Sequence, residues 1–244
     1  MKTPTLDQLV AAVTKDLERG VWSVPLREGA KRPKLRGWNH LRIGAEDAED
    51  FFEAGMNRGR LLGVEPATGE HTLVVVDLDV PEALAMAPHL LPATGEVGGR
   101  SGAPRAHWYY ACTHPPPTRR YNGADGERLV ELLSRGSQVV VPPSIHPSGD
   151  AYQWFEDGPA AVVDTGVLQA RCAELAVACS LVRGTPDPVA ALMALGNDLD
   201  NDRCTRIRAA VEVCSPASDG SGPVGGELNS SVRQWLGETA GGAK

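Results

Sequence analysis

Residues 74–80 read VVVDLDV. Alternate side chains of a strand share a face. The stretch therefore predicts a buried strand on which Asp77 and Asp79 project together, while Val76, Leu78 and Val80 enter a core. Two carboxylates on one face repel and are costly beside a sheet unless a cation lies between them. Oxygen ligands of this kind suit Mg²⁺. The bland alternative is a strand that ends in solvent with merely polar aspartates. The apolar run before Asp77 argues against it, because it pins the pair to the end of a buried strand.

Working outward, residues 5–19 carry apolar positions at helical spacing, Leu6, Leu9, Val10, Val13 and Leu17. WSVPL at 22–26 predicts a short strand. A basic Pro/Gly loop follows, to Trp38, and 45–55 predicts a helix closed by Gly55. Residues 60–65 and 72–80 predict two strands joined as a hairpin around PATGEH. Pro81 opens a short helix to about Leu90. TGEVGGRSGAPR is expected to be a Gly-rich loop leading into the strand 106–112, and HPPPTRRYNGADG a second loop. Strands are predicted at 128–133, at 137–144 and at 151–155. From about 166 the pattern is helical, with a further run around 199–213, and the tail after Pro216 is rich in Gly and Ser. The fold class expected is α+β with a mainly antiparallel sheet. The expected domains are a catalytic one over 1–165, a helical accessory segment over 166–215 and a linker or tail over 216–244.

The chain has 244 residues, 42% hydrophobic and 23% charged, ordinary for a globular protein. No uninterrupted apolar run reaches the roughly 18 residues needed to span a bilayer. The N-terminus reads as an amphipathic helix rather than a signal peptide. Five cysteines (Cys112, Cys172, Cys179, Cys204 and Cys214) form no CxxC pair and fit buried thiols in a reducing, cytoplasmic compartment. A net charge of −7 argues by itself against a nucleic-acid protein, but an active site built on carboxylates biases that sum. Locally, REGAKRPKLR (27–36) holds five basic residues and one acid. Its Lys31, Arg32, Lys34 and Arg36 are candidate template-binding residues, a solvated face being the plain alternative.

Two further groups carry chemistry. In RSGAPRAHWYY (100–110), His107 follows small residues and arginines, a combination that brings backbone N–H and guanidinium groups to a phosphate. In 128–154, Glu131 is the only acid in an apolar strand. Pro142 and Pro143 end the next strand, and Ser144, His146 and Ser148 cluster in a turn with Gly149. A lone histidine is usually structural, and each group taken separately has an ordinary explanation. Together, three carboxylates, two histidines and many arginines match nucleotidyl transfer, in which metals shared by carboxylates activate a hydroxyl and basic groups hold a triphosphate. No GxxxxGK[ST] or GxSxG pattern is present.

Over residues 20–160 the sequence resembles the bifunctional primase–polymerase N-terminal domain of the archaeo-eukaryotic primase superfamily, common in plasmids, phages and mobile elements. The resemblance rests on WSVPL with KRPxLxGW, on VVVDLDV, on GRSxxPRAHWYY and on QVVVPPSIHPSGxxYxW. It implies a primase-type fold with an RRM-like sheet, and Asp77, Asp79 and Glu131 as catalytic residues holding Mg²⁺ or Mn²⁺. It also implies a triphosphate site at His107, Ser144 and His146, with Arg100, Ser101 and Arg105 as further nucleotide-binding candidates. The expected partners are single-stranded DNA, dNTPs or NTPs and a replicative helicase, with no membrane. The sequence departs from the family pattern in three places, the first being Glu131 as the third acid where Asp is usual. The residue after the third acid's neighbour is Leu133 where an arginine is usual, with Arg135 as a replacement, and Arg105 stands where a serine precedes the motif histidine by two. Two rivals stay open: an inactive replication-initiator or single-strand-binding module, and a metal-dependent nuclease.

Overall fold

The computed structural model describes residues 3–185, 188–193 and 201–214. Helix α1 (Leu6–Glu18) starts at a capping box: Thr5 Oγ accepts from the Gln8 backbone N–H at 3.2 Å, and Gln8 Oε1 accepts from the Thr5 N–H at 3.0 Å. Such a cap is worth about 1 kcal/mol. Strand β1 (Ser23–Leu26), a 3₁₀ turn (Trp38–His40), α2 (Ala48–Phe51) and β2 (Asn57–Leu62) follow. Next come β3 (Thr72–Leu78), α3 (Pro81–Leu90), β4 (Glu96–Arg100), β5 (Ala103–Cys112), β6 (Arg119–Asn122), β7 (Arg128–Leu133), β8 (Ser137–Val141), β9 (Tyr152–Asp157) and β10 (Ala161–Val162). The described chain ends with α4 (Thr165–Val182), α5 (Pro188–Met193) and α6 (Asn201–Cys214).

The protein is α+β. One sheet runs β1-β2-β8 and the other β6-β7-β3-β5-β4-β9, with β10 paired in parallel to β5; the other registers observed are antiparallel. Chain contacts divide the protein into two compact units, one of Met1–Asp77, Thr94–Arg119 and Leu132–Thr165, the other of Leu78–Ala93, Arg120–Glu131 and Gly166–Lys244. In it the helices after Thr165 group with α3 and with the segment Arg120–Glu131. The expected tail, 216–244, lies outside the described residues.

Four sequence expectations are corrected. The hairpin of 60–65 with 72–80 does not form: β2 has β1 on one edge and β8 on the other, so neither edge is left for β3. The Gly63 N–H donates to Leu73 O at 2.9 Å between their ends. The Gly-rich "loop" 94–105 is instead β4 and the start of β5, paired around a tight turn with an irregularity between Gly98 and Arg100. Its glycines permit close approach rather than disorder, since a Cβ on Gly99 would stand 2.6 Å from Ala103 O. The helix expected over 45–55 shrinks to Ala48–Phe51, and the loop 114–126 contains β6.

In the first unit, Leu62, Val75, Tyr109, Val139 and Val141 form one core cluster, and α1 contributes Leu9 and Val13 to another with Ile43, Ala48 and Phe52. An ionic cluster is buried beside them. Asp16 of α1 accepts from Arg58 Nη1 and from Arg60 Nη2 at 2.6 Å; Arg60 Nη1 lies 2.9 Å from Glu96, and all four side chains are 1–2% exposed. Burial alone would raise the Asp16 carboxyl, but Arg58 and Arg60 hold it below the ordinary range.

In the second unit α3 packs on α6. Helix α4 has a mean hydropathy of 1.3 over 18 residues, long and apolar enough by composition to cross a membrane, yet half of it is buried inside the protein. Its buried Glu174 meets Arg171 at 2.7 Å, Arg203 at 2.8 Å and Arg206 at 3.3 Å, which fits a core helix.

Candidate functional site: an acidic cluster and a basic cluster

Strand β3 is buried on both faces as far as Asp77: Val74, Val76 and Leu78 on one side, Val75 on the other. Such burial explains the unbroken apolar run. The strand ends where acids begin. Asp77 is half-buried and Asp79 exposed, with the Asp79 N–H donating to Leu129 O at 3.2 Å beside β7. Glu131 on β7 is buried. One carboxylate oxygen from each of Asp77, Asp79 and Glu131 lies within 4.8 Å of the others. Arg128 spans two of them, 3.2 Å from Asp79 and 2.6 Å from Glu131, and Arg120 Nε donates to the other Glu131 oxygen at 2.7 Å.

The donor set is all oxygen, and its spread suits hard divalent ions, whose ligand oxygens sit about 3–4 Å apart around one ion. These five side chains are three carboxylates and two guanidiniums. The residues fit a Mg²⁺- or Mn²⁺-type cation.

His107 of β5 stands opposite Asp77 of β3, its Nε2 3.4 Å from Asp77 Oδ1. Burial first, then the charges of Lys31 and Arg100, press its pKa down to about 4, so the ring is neutral at physiological pH. Its Nδ1 is buried without a hydrogen-bond partner. The ring stacks on Tyr152 at 6.0 Å with 23° between planes, and His146 meets the same tyrosine edge-on at 6.0 Å. Tyr152 thus stands between two histidines that lie 39 positions apart in the sequence.

Arg100 and Ser101 sit on the β4–β5 turn. Arg100 Nη1 donates to Asp150 at 3.1 Å and Ser101 Oγ to the same carboxylate at 2.6 Å. The charges of Arg100 and Lys31 both depress His146, after burial. Arg100, Ser101, His107 and His146 are therefore gathered, with Lys31 of the basic loop near them. Two candidates are engaged elsewhere. The Ser144 hydroxyl accepts from the Arg58 N–H at 2.9 Å and donates to Arg58 O at 3.2 Å, which ties the Pro-Pro turn to β2 and uses its one proton. Arg105, at φ 57°, turns its guanidinium to Glu156.

Arg32, Lys34 and Arg36 are exposed, as is Lys31. Their loop is anchored at its base, where Asn57 Nδ2 donates to Ala30 O at 3.1 Å and to Ile145 O at 2.7 Å, and Gln138 donates to Lys31 O at 2.7 Å. Asn57, Asp150 and Tyr152 were not singled out in the sequence. Only Tyr152 stood in the sequence signal, as the Y of the QVVVPPSIHPSGxxYxW motif.

Comparison with curated proteins finds no match. The family model of the bifunctional DNA primase/polymerase N-terminal domain matches residues 15–167. That span runs from the end of α1 to the start of α4 and contains every acid, histidine and arginine of both clusters. The chain belongs to the bifunctional DNA primase/polymerase N-terminal family.

Proposed function

We propose that this nucleotidyltransferase-type enzyme is a template-directed primase and polymerase, joining dNTPs or NTPs to a 3′-hydroxyl on single-stranded DNA. In this reading its sheet is the RRM-like catalytic sheet of primases. The observation that carries it is the meeting of three carboxylate oxygens within 4.8 Å, with His107 3.4 Å from one of the acids. A binding groove for phosphates alone gains nothing from three acids.

Asp77, Asp79 and Glu131 would hold Mg²⁺ or Mn²⁺, which supplies activation of the attacking hydroxyl and neutralisation of the leaving pyrophosphate. The protein's own groups do the rest. Arg128 and Arg120 fix the Glu131 carboxylate, so it approaches from one direction. His107 would offer Nε2, its nitrogen beside Asp77, to a phosphate oxygen, with Tyr152 stacked on its ring. Arg100, Ser101, His146 and Lys31 bring positive charge and donors to the same place, where preorganised dipoles stabilise developing charge. The exposed basic loop, Arg32 to Arg36, fits a template backbone. The helices over 166–215 are read as an accessory to priming, when two nucleotides must be held before any primer exists, and a helicase as the replicative partner.

Labelled dNTPs, Mn²⁺ and either an unprimed or a primed single strand test the assignment. Extended products support it. A gel shift without products indicates a binding module, and template shortening a nuclease.

A further inference from the structure

Asp150 occupies an odd position for a carboxylate. It lies among groups gathered for an anion, where its charge repels phosphate. Yet its oxygens face protein donors: Oδ1 accepts from Ser101 Oγ at 2.6 Å, and Oδ2 from Arg100 Nη1 at 3.1 Å and from Ser148 Oγ at 2.9 Å. Ser148 also holds the histidine: its hydroxyl lies 2.7 Å from His146 Nδ1, and its N–H donates to the same nitrogen at 3.1 Å, so His146 and Asp150 share one serine. The backbone repeats the connection, His146 N–H donating to Asp150 O at 2.7 Å. The turn is also shaped for the carboxylate. A Cβ on Gly102 would stand 2.4 Å from Arg100 Nη1 and 3.1 Å from Asp150 Oδ2, so a side chain there would shift the Arg100 guanidinium from its present place.

We propose that Asp150 is a positioning residue that presets Arg100, Ser101 and His146 as one rigid receptor for the triphosphate of the incoming nucleotide. The inference rests on the reading of this cluster as a triphosphate site. Arg100 and Ser101 come from the β4–β5 turn and His146 from the turn after β8; Asp150 bonds to side chains of both turns. Charged hydrogen bonds of this kind order long side chains that would otherwise lose rotamer freedom when the anion arrives.

Charge and position predict opposite signs, which makes the idea testable. If Asp150 acts only through its charge, Asp150→Ala removes a repulsion and nucleotide binds more tightly. If it positions, the donors scatter and binding weakens. Three readouts on the full chain decide. In primer extension with Mn²⁺, Asp150→Ala is expected to raise the dNTP KM about tenfold with kcat within about twofold. Asp150→Asn, which keeps one acceptor, should fall between it and wild type, as should Ser148→Ala. Inorganic tripolyphosphate, titrated without template, should bind Asp150→Ala about tenfold more weakly. The His146 ring, followed by NMR, faces Arg100 and Lys31, which lower its midpoint, and Asp150, which raises it; loss of Asp150 should move the midpoint down. An unchanged or tighter KM together with unchanged or tighter tripolyphosphate binding in Asp150→Ala overturns the inference. Should wild type incorporate nothing, the polymerase reading falls, and tripolyphosphate binding still decides the role of Asp150. If Asp150→Ala does not fold, Asp150→Asn and Ser148→Ala carry the same tests with the same signs.

Discussion

Asp77 of β3 and His107 of β5 are direct cross-strand partners, and the imidazole Nε2 lies 3.4 Å from the carboxylate Oδ1. Antiparallel pairing places a residue of the acidic cluster beside a residue of the basic cluster. Side chains opposite each other on such a pair approach within about 5 Å at Cβ. The register of one strand pair therefore decides whether the two groups can serve one nucleotide.

Asp77→Ala and Asp79→Ala are each expected to lower nucleotide incorporation by about 10³-fold or more, the scale on which loss of a group that stabilises the transition state is felt. Folding stability, read from urea denaturation, should change by under about 1 kcal/mol, because neither side chain is part of the apolar core. Near wild-type incorporation by either variant would remove the assignment of these acids.

Glu131→Gln keeps the shape of the side chain and removes its charge. Mn²⁺ binding, measured by EPR, should weaken by at least about tenfold, since one of three oxygen ligands loses its charge. Equal Mn²⁺ affinity in Glu131→Gln and wild type would show that Glu131 serves only its arginines.

His107→Ala and His146→Ala should each raise the dNTP KM by about 10- to 100-fold, the range for a hydrogen bond to a charged group. Unchanged KM in both variants would take the triphosphate away from this cluster.

Lys34→Ala and Arg36→Ala should weaken binding to single-stranded DNA of any sequence and reduce the salt slope by about 0.7 per residue, with dNTP KM unchanged. Filter binding at several salt concentrations reads this directly. A slope equal to wild type would place the template elsewhere.

Asp16→Asn breaks a buried ion cluster and leaves Arg58 and Arg60 without their shared carboxylate. The cost expected is about 3–5 kcal/mol in urea unfolding. Its acid dependence follows from the depressed carboxyl. The stability due to Asp16 is complete above the ordinary value of 3.8 and is lost as pH falls through the lower folded value. The variant should lack this acid-sensitive component, and a wild-type pH profile in Asp16→Asn would contradict the account.

Much of this protein was legible in its sequence because the signals are local. Alternation placed Asp77 beside a buried run, apolar runs marked β7 and β8, and helical spacing marked α1. The α+β class followed from them, and the resemblance of residues 20–160 pointed to the family whose model matches the chain. The β2–β3 hairpin was misread because two strands adjacent in sequence pair only if their edges are free, and β1 and β8 take both edges of β2. Gly98 and Gly99 looked like a loop because glycine signals flexibility locally, whereas here it admits a neighbouring backbone. Arg58 and Arg60 looked like ordinary polar positions; only their enclosure with Asp16 makes burial tolerable. The bond from Ser144 to Arg58, the pairing of Arg105 with Glu156 and the bonds of Asp150 to Arg100 and Ser101 join residues 49 to 86 positions apart. Local sequence determines which side chains a strand or turn presents, and tertiary pairing alone decides which partner each of them meets, because hydrogen bonds and charges act over a few ångströms of space rather than over sequence.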